Sequence, residues 1–119
     1  MILINGDKLQ QDHFPDKTLN IKVYENHKTC VDIQWNYEND AELFTIICLR
    51  KHLEGKIVTL TMPYLPHARM DRVKRNEDVF TLKYFCEVIN SLGYDKIRVV
   101  DAHSNVSLAL LNNIEPMDV

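Results

Sequence analysis

A chain of 119 residues has room for one domain with one core. Hydrophobic residues make up 45% and charged residues 26%, an ordinary globular balance, and the net charge of −3 argues against a general nucleic-acid binder, which needs a basic face. No apolar run is long enough for a bilayer, and the opening MILINGDKLQQD has no small-residue cleavage site, so neither a membrane span nor a signal peptide is expected.

The first element is a short hairpin over residues 2–10, because Asn5-Gly6 suits a type I′ turn. Residues 18–24 (TLNIKVY) and 29–35 (TCVDIQW) alternate apolar with polar, as half-buried strands do. Together these segments predict an antiparallel meander. The period then changes. Residues 38–53 read as a helix nearly encircled by apolar side chains, capped by Asn39 or Asp40, with Gly55 at its stop. Residues 57–62 are a strand and 79–92 a helix, with Asp78 as the expected N-cap and Gly93 as the stop. A strand over 97–100 and a short helix over 104–111 follow. Strands alternating with helices imply a parallel sheet with right-handed crossovers, which the meander extends as an antiparallel edge.

Cys30, Cys48 and Cys86 are far apart and form no C-x-x-C, so neither zinc nor a redox pair is expected, and a cytoplasmic location fits. Cys48 and Cys86 fall in apolar helical runs and read as buried thiols. His13, His27, His52 and His67 have no evident partners and read as surface residues. Gly6, Gly55 and Gly93 are too scattered for a glycine-rich phosphate cradle.

The stretch 62–78, MPYLPHARMDRVKRNED, stands out between a strand and a helix. Its length exceeds that of an ordinary connection, and it carries Arg69, Arg72, Lys74 and Arg75. It starts where ligands bind in open α/β sheets, outside the carboxyl end of a strand. Forked guanidiniums there suit a polyanion such as a nucleotide. The competing reading is a solvated charged loop, and its charge density and lack of an apolar anchor between Met70 and Val79 predict mobility without ligand.

Here Pro63-Tyr64 and Ala68-Arg69-Met70-Asp71-Arg72 resemble the PY…ARQDR segment of the ribose-phosphate pyrophosphokinases. Thr81-Leu82-Lys83 is similar to that family's S/T-A-K, Val100-Asp101-Ala102-His103-Ser104 to its M-D-L-H-A, and Phe14-Pro15-Asp16 to its FPDGE. The resemblance covers nearly the whole chain and corresponds to the amino-terminal half of the enzyme. It implies a phosphoribosyltransferase-like three-layer α/β domain, with a mostly parallel sheet and an antiparallel meander at one edge. It also implies transfer of diphosphate from Mg-ATP to ribose 5-phosphate, giving phosphoribosyl pyrophosphate and AMP, in a homo-oligomer.

By the same resemblance, Phe14 stacks on adenine and Asp16 reads the base edge, in the nucleotide site of a neighbouring subunit. Thr18 stands for the family glutamate and Lys17 for its glycine. Arg69 faces adenine and phosphates, Met70 replaces a glutamine at the base, and Arg72 matches a family cation. Lys74 and Arg75 lie in the catalytic loop that closes on the triphosphate, and Asp71 is placed to orient Arg69 or Arg72. His103 helps hold Mg²⁺.

Three departures accompany the match. Too few residues separate Gly6 from Phe14 for the family's first helix. The second metal ligand and the ribose-phosphate cradle are missing from these 119 residues. The 119 residues alone are therefore expected to be inactive. Two other readings stay open: a non-catalytic relative that associates with synthetases and regulates them, favoured by Thr18 and Met70, and an unrelated Rossmann-like domain with a mobile basic loop.

Overall fold

Strands that alternate apolar with polar bury one face of a sheet and wet the other. The computed structural model, which describes residues 1–70, 72–101 and 109–116, is organised by that rule. In chain order it contains strands β1 (Ile2–Ile4), β2 (Asp7–Lys8), β3 (Gln10–His13), β4 (Leu19–Lys22) and β5 (Cys30–Trp35). Helix α1 (Ala41–His52), strand β6 (Ile57–Tyr64), helix α2 (Thr81–Leu92), strand β7 (Lys96–Asp101) and strand β8 (Ile114–Pro116) follow. One six-stranded sheet has the order β2-β1-β5-β6-β7-β8, with β5 to β8 parallel and β1 antiparallel to both of its neighbours.

The buried strand residues are Ile2, Ile4, Val31, Ile33, Trp35, Val58, Leu60, Met62, Ile97 and Val99. They share one core with Ile46 and Leu49 of α1 and with Leu82, Phe85, Cys86 and Ile89 of α2. Both helices therefore cover the same face, as right-handed crossovers stepping one way across a sheet require. The opposite face carries Asp32, Thr59, Thr61, Lys96, Arg98 and Glu115. Thr61 donates to Asp32 (3.2 Å), and Lys96 pairs with Glu115 (2.8 Å). Of the three layers expected, the described residues supply two. The helix expected over 104–111 lies mostly outside them.

The Asn5-Gly6 hairpin forms as read, with both central residues at positive φ (50° and 87°) as a type I′ turn demands. The antiparallel edge forms from β2 and β1, but the segment expected as its middle strand is not part of it. Strand β4 pairs with β3 in a separate two-stranded ribbon, and β5 lies inside the main sheet, antiparallel to β1 and parallel to β6. The ribbon packs Ile21 and Val23 over the outer side of α1, beside Cys48 and His52, and His52 bonds Asn26 at 2.7 Å. An apolar girdle on α1 is thus used on two sides. Cys48 is half-buried under the ribbon rather than sealed in the core, whereas burial pushes the Cys86 thiol up to about 11.

Asn39 and Glu42 start α1 as a capping box. Asn39 Oδ1 accepts from Glu42 N (3.2 Å), and Glu42 Oε1 accepts from Asn39 N (3.3 Å). The same carboxylate takes the Glu38 N–H (2.7 Å), the Trp35 indole N–H (3.3 Å) and the Met1 ammonium (2.8 Å). At the far end Tyr94 is buried, and its hydroxyl donates to the Ile46 carbonyl at 2.9 Å. The Arg50 guanidinium lies 5.9 Å from the Tyr94 ring centre and donates to the Gly93 carbonyl at 3.1 Å. Among the described residues no helix is long and apolar enough to cross a membrane.

Two expectations follow. Tyr94→Phe removes one buried bond between α1 and the turn after α2, and urea unfolding should show a loss of about 1 kcal/mol. Glu42 is pushed up by burial, but its hydrogen bonds outweigh this and hold it below its usual 4.5. A lowered folded value stabilises above the unfolded carboxyl range and is lost as pH falls through it. Wild-type stability should fall more steeply below about pH 4.5 than that of Glu42→Gln in parallel urea titrations.

Candidate nucleotide cleft

Strand β6 delivers the chain to the carboxyl edge of the sheet at Tyr64. Leu65 and Pro66 are buried there, so the long connection begins anchored in the core. His67 follows with φ 66°, a left-handed conformation uncommon outside glycine. Its carbonyl accepts from Met70 N at 3.0 Å, closing a turn with Ala68 and Arg69 at the corner. Arg69 is exposed and makes no hydrogen bond or ion pair with any described residue.

Around this turn lies a cleft of about 610 Å³, lined by Tyr64, Leu65, His67, Ala68, Arg69, Met70 and Thr81. Thr81 is the first residue of α2, so the cleft sits at a helix amino-terminus as well as at a strand carboxyl end. No side chain caps that terminus. Asp78, expected as the cap, instead accepts from Arg75 N at 3.2 Å, and the helix starts after Phe80. A loop turn has captured the carboxylate before the helix begins.

His67 is not the surface residue that its sequence context suggests. Its Nε2 donates to Asp40 Oδ1 at 2.7 Å, and its ring meets Tyr37 edge-on (6.0 Å) and Phe85 at a tilt (5.4 Å). The Tyr37 hydroxyl donates to the same Asp40 oxygen at 2.6 Å, and the Tyr64 hydroxyl donates to the Tyr37 carbonyl at 3.1 Å. Those bonds hold Asp40 below the usual carboxylate range, chiefly through Tyr37, and push the Tyr37 phenol up to about 12. Nothing local in the sequence announces this cluster, because its members come from three separate segments: residues 37–40, residues 64–67 and Phe85 of α2.

The remaining candidate residues are distributed as follows. Lys74 and Arg75 are exposed beyond the cleft, and Arg75 stands 3.9 Å from Glu77. Arg72 is exposed in the same connection. Asp71 and His103 lie outside the described residues. Phe14, 51% exposed, stands at the base of the β3–β4 turn. Lys17 N–H donates to the Phe14 carbonyl (2.7 Å), and Lys17 adopts φ 72°, the conformation that a glycine would take most readily. Asp16 Oδ1 accepts from Thr18 N (3.0 Å) and Thr18 Oγ1 (2.6 Å), which together hold the Asp16 carboxyl below its usual range. That oxygen is engaged in the turn rather than offered to a ligand.

Thr18 and Lys17 line a second, larger groove of about 750 Å³ between the ribbon and α1, shared with His13 and Phe44. The structure thus brings Arg69 and Met70 together and sets Phe14, Asp16 and Thr18 apart on the ribbon. The smaller concavity is where an exposed guanidinium, without a partner among the described residues, meets an uncapped helix start.

No family model matches the chain. Over 71 residues it is 31% identical to the chloroplastic ribose-phosphate pyrophosphokinase 2 of Oryza sativa subsp. japonica, covering 60% of this chain and 18% of that protein. The ribose-phosphate pyrophosphokinase of Buchnera aphidicola subsp. Acyrthosiphon pisum is 29% identical over 114 residues, which cover 87% of this chain and 35% of the relative. That of Pyrococcus abyssi is 27% identical over 113 residues, covering 88% and 39%. The fold is shared with the crystal structure of phosphoribosylpyrophosphate synthetase from Mycobacterium smegmatis. The TM-score is 0.74 at 17% sequence identity, over 92% of this chain and 39% of that one. The chain spans 18% to 39% of the length of these proteins; in sequence it is similar to the amino-terminal part of ribose-phosphate pyrophosphokinases, and in fold to the synthetase.

Proposed function

We propose that this chain is the nucleotide-binding, amino-terminal part of a ribose-phosphate diphosphokinase. The observation that carries the reading is Arg69, exposed and without a partner among the described residues, at the corner of a turn beside the uncapped start of α2. A triphosphate placed there gains a forked donor and the positive end of a helix dipole. Met70 lines the same cleft and offers an apolar surface to a base. Arg72, Lys74 and Arg75 lie further along the connection, where they would close on the phosphates and stabilise developing charge.

Mg²⁺ would arrive with the nucleotide, held mainly by phosphate oxygens and water, as is usual for this ion. His103 is this chain's proposed contact to it. Among the described residues there is no group of three or more side chains that could hold a metal by themselves. Phe14, Asp16 and Thr18 stand on the ribbon, away from the Arg69 cleft, which suits a role in the nucleotide site of a neighbouring subunit in a homo-oligomer. Ribose 5-phosphate would be bound by residues beyond these 119, and the reaction in the complete protein would yield phosphoribosyl pyrophosphate and AMP.

The test is calorimetric titration of the 119-residue chain with Mg-ATP, beside an assay for AMP release. Binding should be weak, and Arg69→Ala should weaken it by about ten- to a hundredfold, the usual effect of losing a charged hydrogen-bonding group. No AMP should form. Robust turnover by these residues alone would refute the assignment of a shared site.

A further inference from the structure

We infer that His67 and Asp40 form a protonation-dependent latch that sets the turn carrying Arg69. Its effect on nucleotide affinity rests on the function proposed above, but the latch itself does not. His67 does two things at once. Its carbonyl closes the turn onto Met70 N at 3.0 Å, and its ring is fixed 2.7 Å from Asp40 between Tyr37 and Phe85. Asp40 sits at the start of α1 and is already held by Tyr37. The cleft turn, the end of β5 and the start of α1 are therefore joined at a single carboxylate oxygen.

The left-handed backbone at His67 makes the side-chain anchor more than decorative. A non-glycine residue stays at φ 66° when its surroundings hold it there. If the ring is freed, the turn loses its support, and Arg69 loses its fixed place at the corner.

The pair also responds to pH. A neutral imidazole already donates one N–H to the carboxylate. Protonation leaves that bond in place and adds a positive charge against a negative one. Among the described residues, the titratable groups around His67 are Asp40 and Tyr37, with Glu42 behind them on α1 and Tyr64 at the end of β6; α2 presents the apolar Phe85. Protonation therefore strengthens the contact with the facing carboxylate, so the latch is tighter when the imidazole is charged.

Trypsin provides a nucleotide-free readout, because Arg69 is exposed and in the turn. Initial cleavage after Arg69 is measured in the 119-residue chain at about pH 8 and about pH 6, normalised to a peptide substrate. His67→Ala should be cut about tenfold faster than wild type, the effect of losing one charge-assisted hydrogen bond. His67→Gln keeps a donor at the Nε2 position but cannot become charged. It should match wild type at the higher pH and fail to gain the extra protection that wild type gains at the lower. Urea midpoints of both variants separate local release from global unfolding.

Equal cleavage of wild type and His67→Ala in folded protein would overturn the latch. So would pH-dependent protection persisting in His67→Gln. In Mg-ATP titrations of the same proteins, wild-type affinity should rise on acidification relative to His67→Gln. If cleavage behaves as described but no variant binds nucleotide, the latch stands and the nucleotide reading falls.

Discussion

The architecture depends on a sheet that buries one face. Parallel strands are usually covered on both sides and read as unbroken apolar runs. Here β5 reads CVDIQW and β6 reads IVTLTMPY, with every second residue polar or exposed along most of their length. The helices have one face to occupy, and both occupy it. That brings the carboxyl end of β6 and the first turn of α2 to the same side of the core, where the cleft opens. The polar face is satisfied by its own pairs, Asp32 with Thr61 and Lys96 with Glu115.

Helix α1 obeys a different demand. Its apolar residues run nearly all the way round, which one sheet face cannot absorb. The ribbon resolves this by laying Ile21 and Val23 on the outer side. A two-stranded ribbon on its own is marginal in water, and β3 is exposed along its whole length. Helix and ribbon therefore each supply what the other lacks: an apolar floor for the ribbon and a partial cover for the helix. Phe44 shows that the cover is incomplete, since it remains 59% exposed at the groove between them.

Much of this was legible in the sequence, for identifiable reasons. Asn5-Gly6 announces its turn because few other dipeptides accept two positive φ values. Alternation identified β4 and β5 as strands, and Gly93 marked the end of α2 by taking the left-handed cap. What the pattern could not convey was partnership. TLNIKVY is as suitable for a ribbon as for a sheet, and its true partner, QQDH, has no apolar residue to betray a strand. The same limit hid His67, whose partners Tyr37, Asp40 and Phe85 are remote in sequence. It also misdirected Asp78, a good cap by type whose carboxylate was taken by a nearer backbone N–H. For the candidate site, residue identity pointed to Arg69 and Met70, while folding alone revealed what supports them.

The strand order carries a consequence for how the domain assembles. From β5 onward, each strand of the main sheet docks beside the one formed just before it, with a single crossover in between. Chain closure is costly when partners are distant, and here the parallel pairings are reached by successive loops of moderate length. The longest of these closures is β6 onto β7, which spans the Arg69 connection and α2. The sheet can thus be extended strand by strand as the chain emerges during synthesis, with each finished edge acting as a template for the next arrival. The Arg69 turn falls between two such additions, so its shape is completed only when α2 has folded back and β7 has closed the edge.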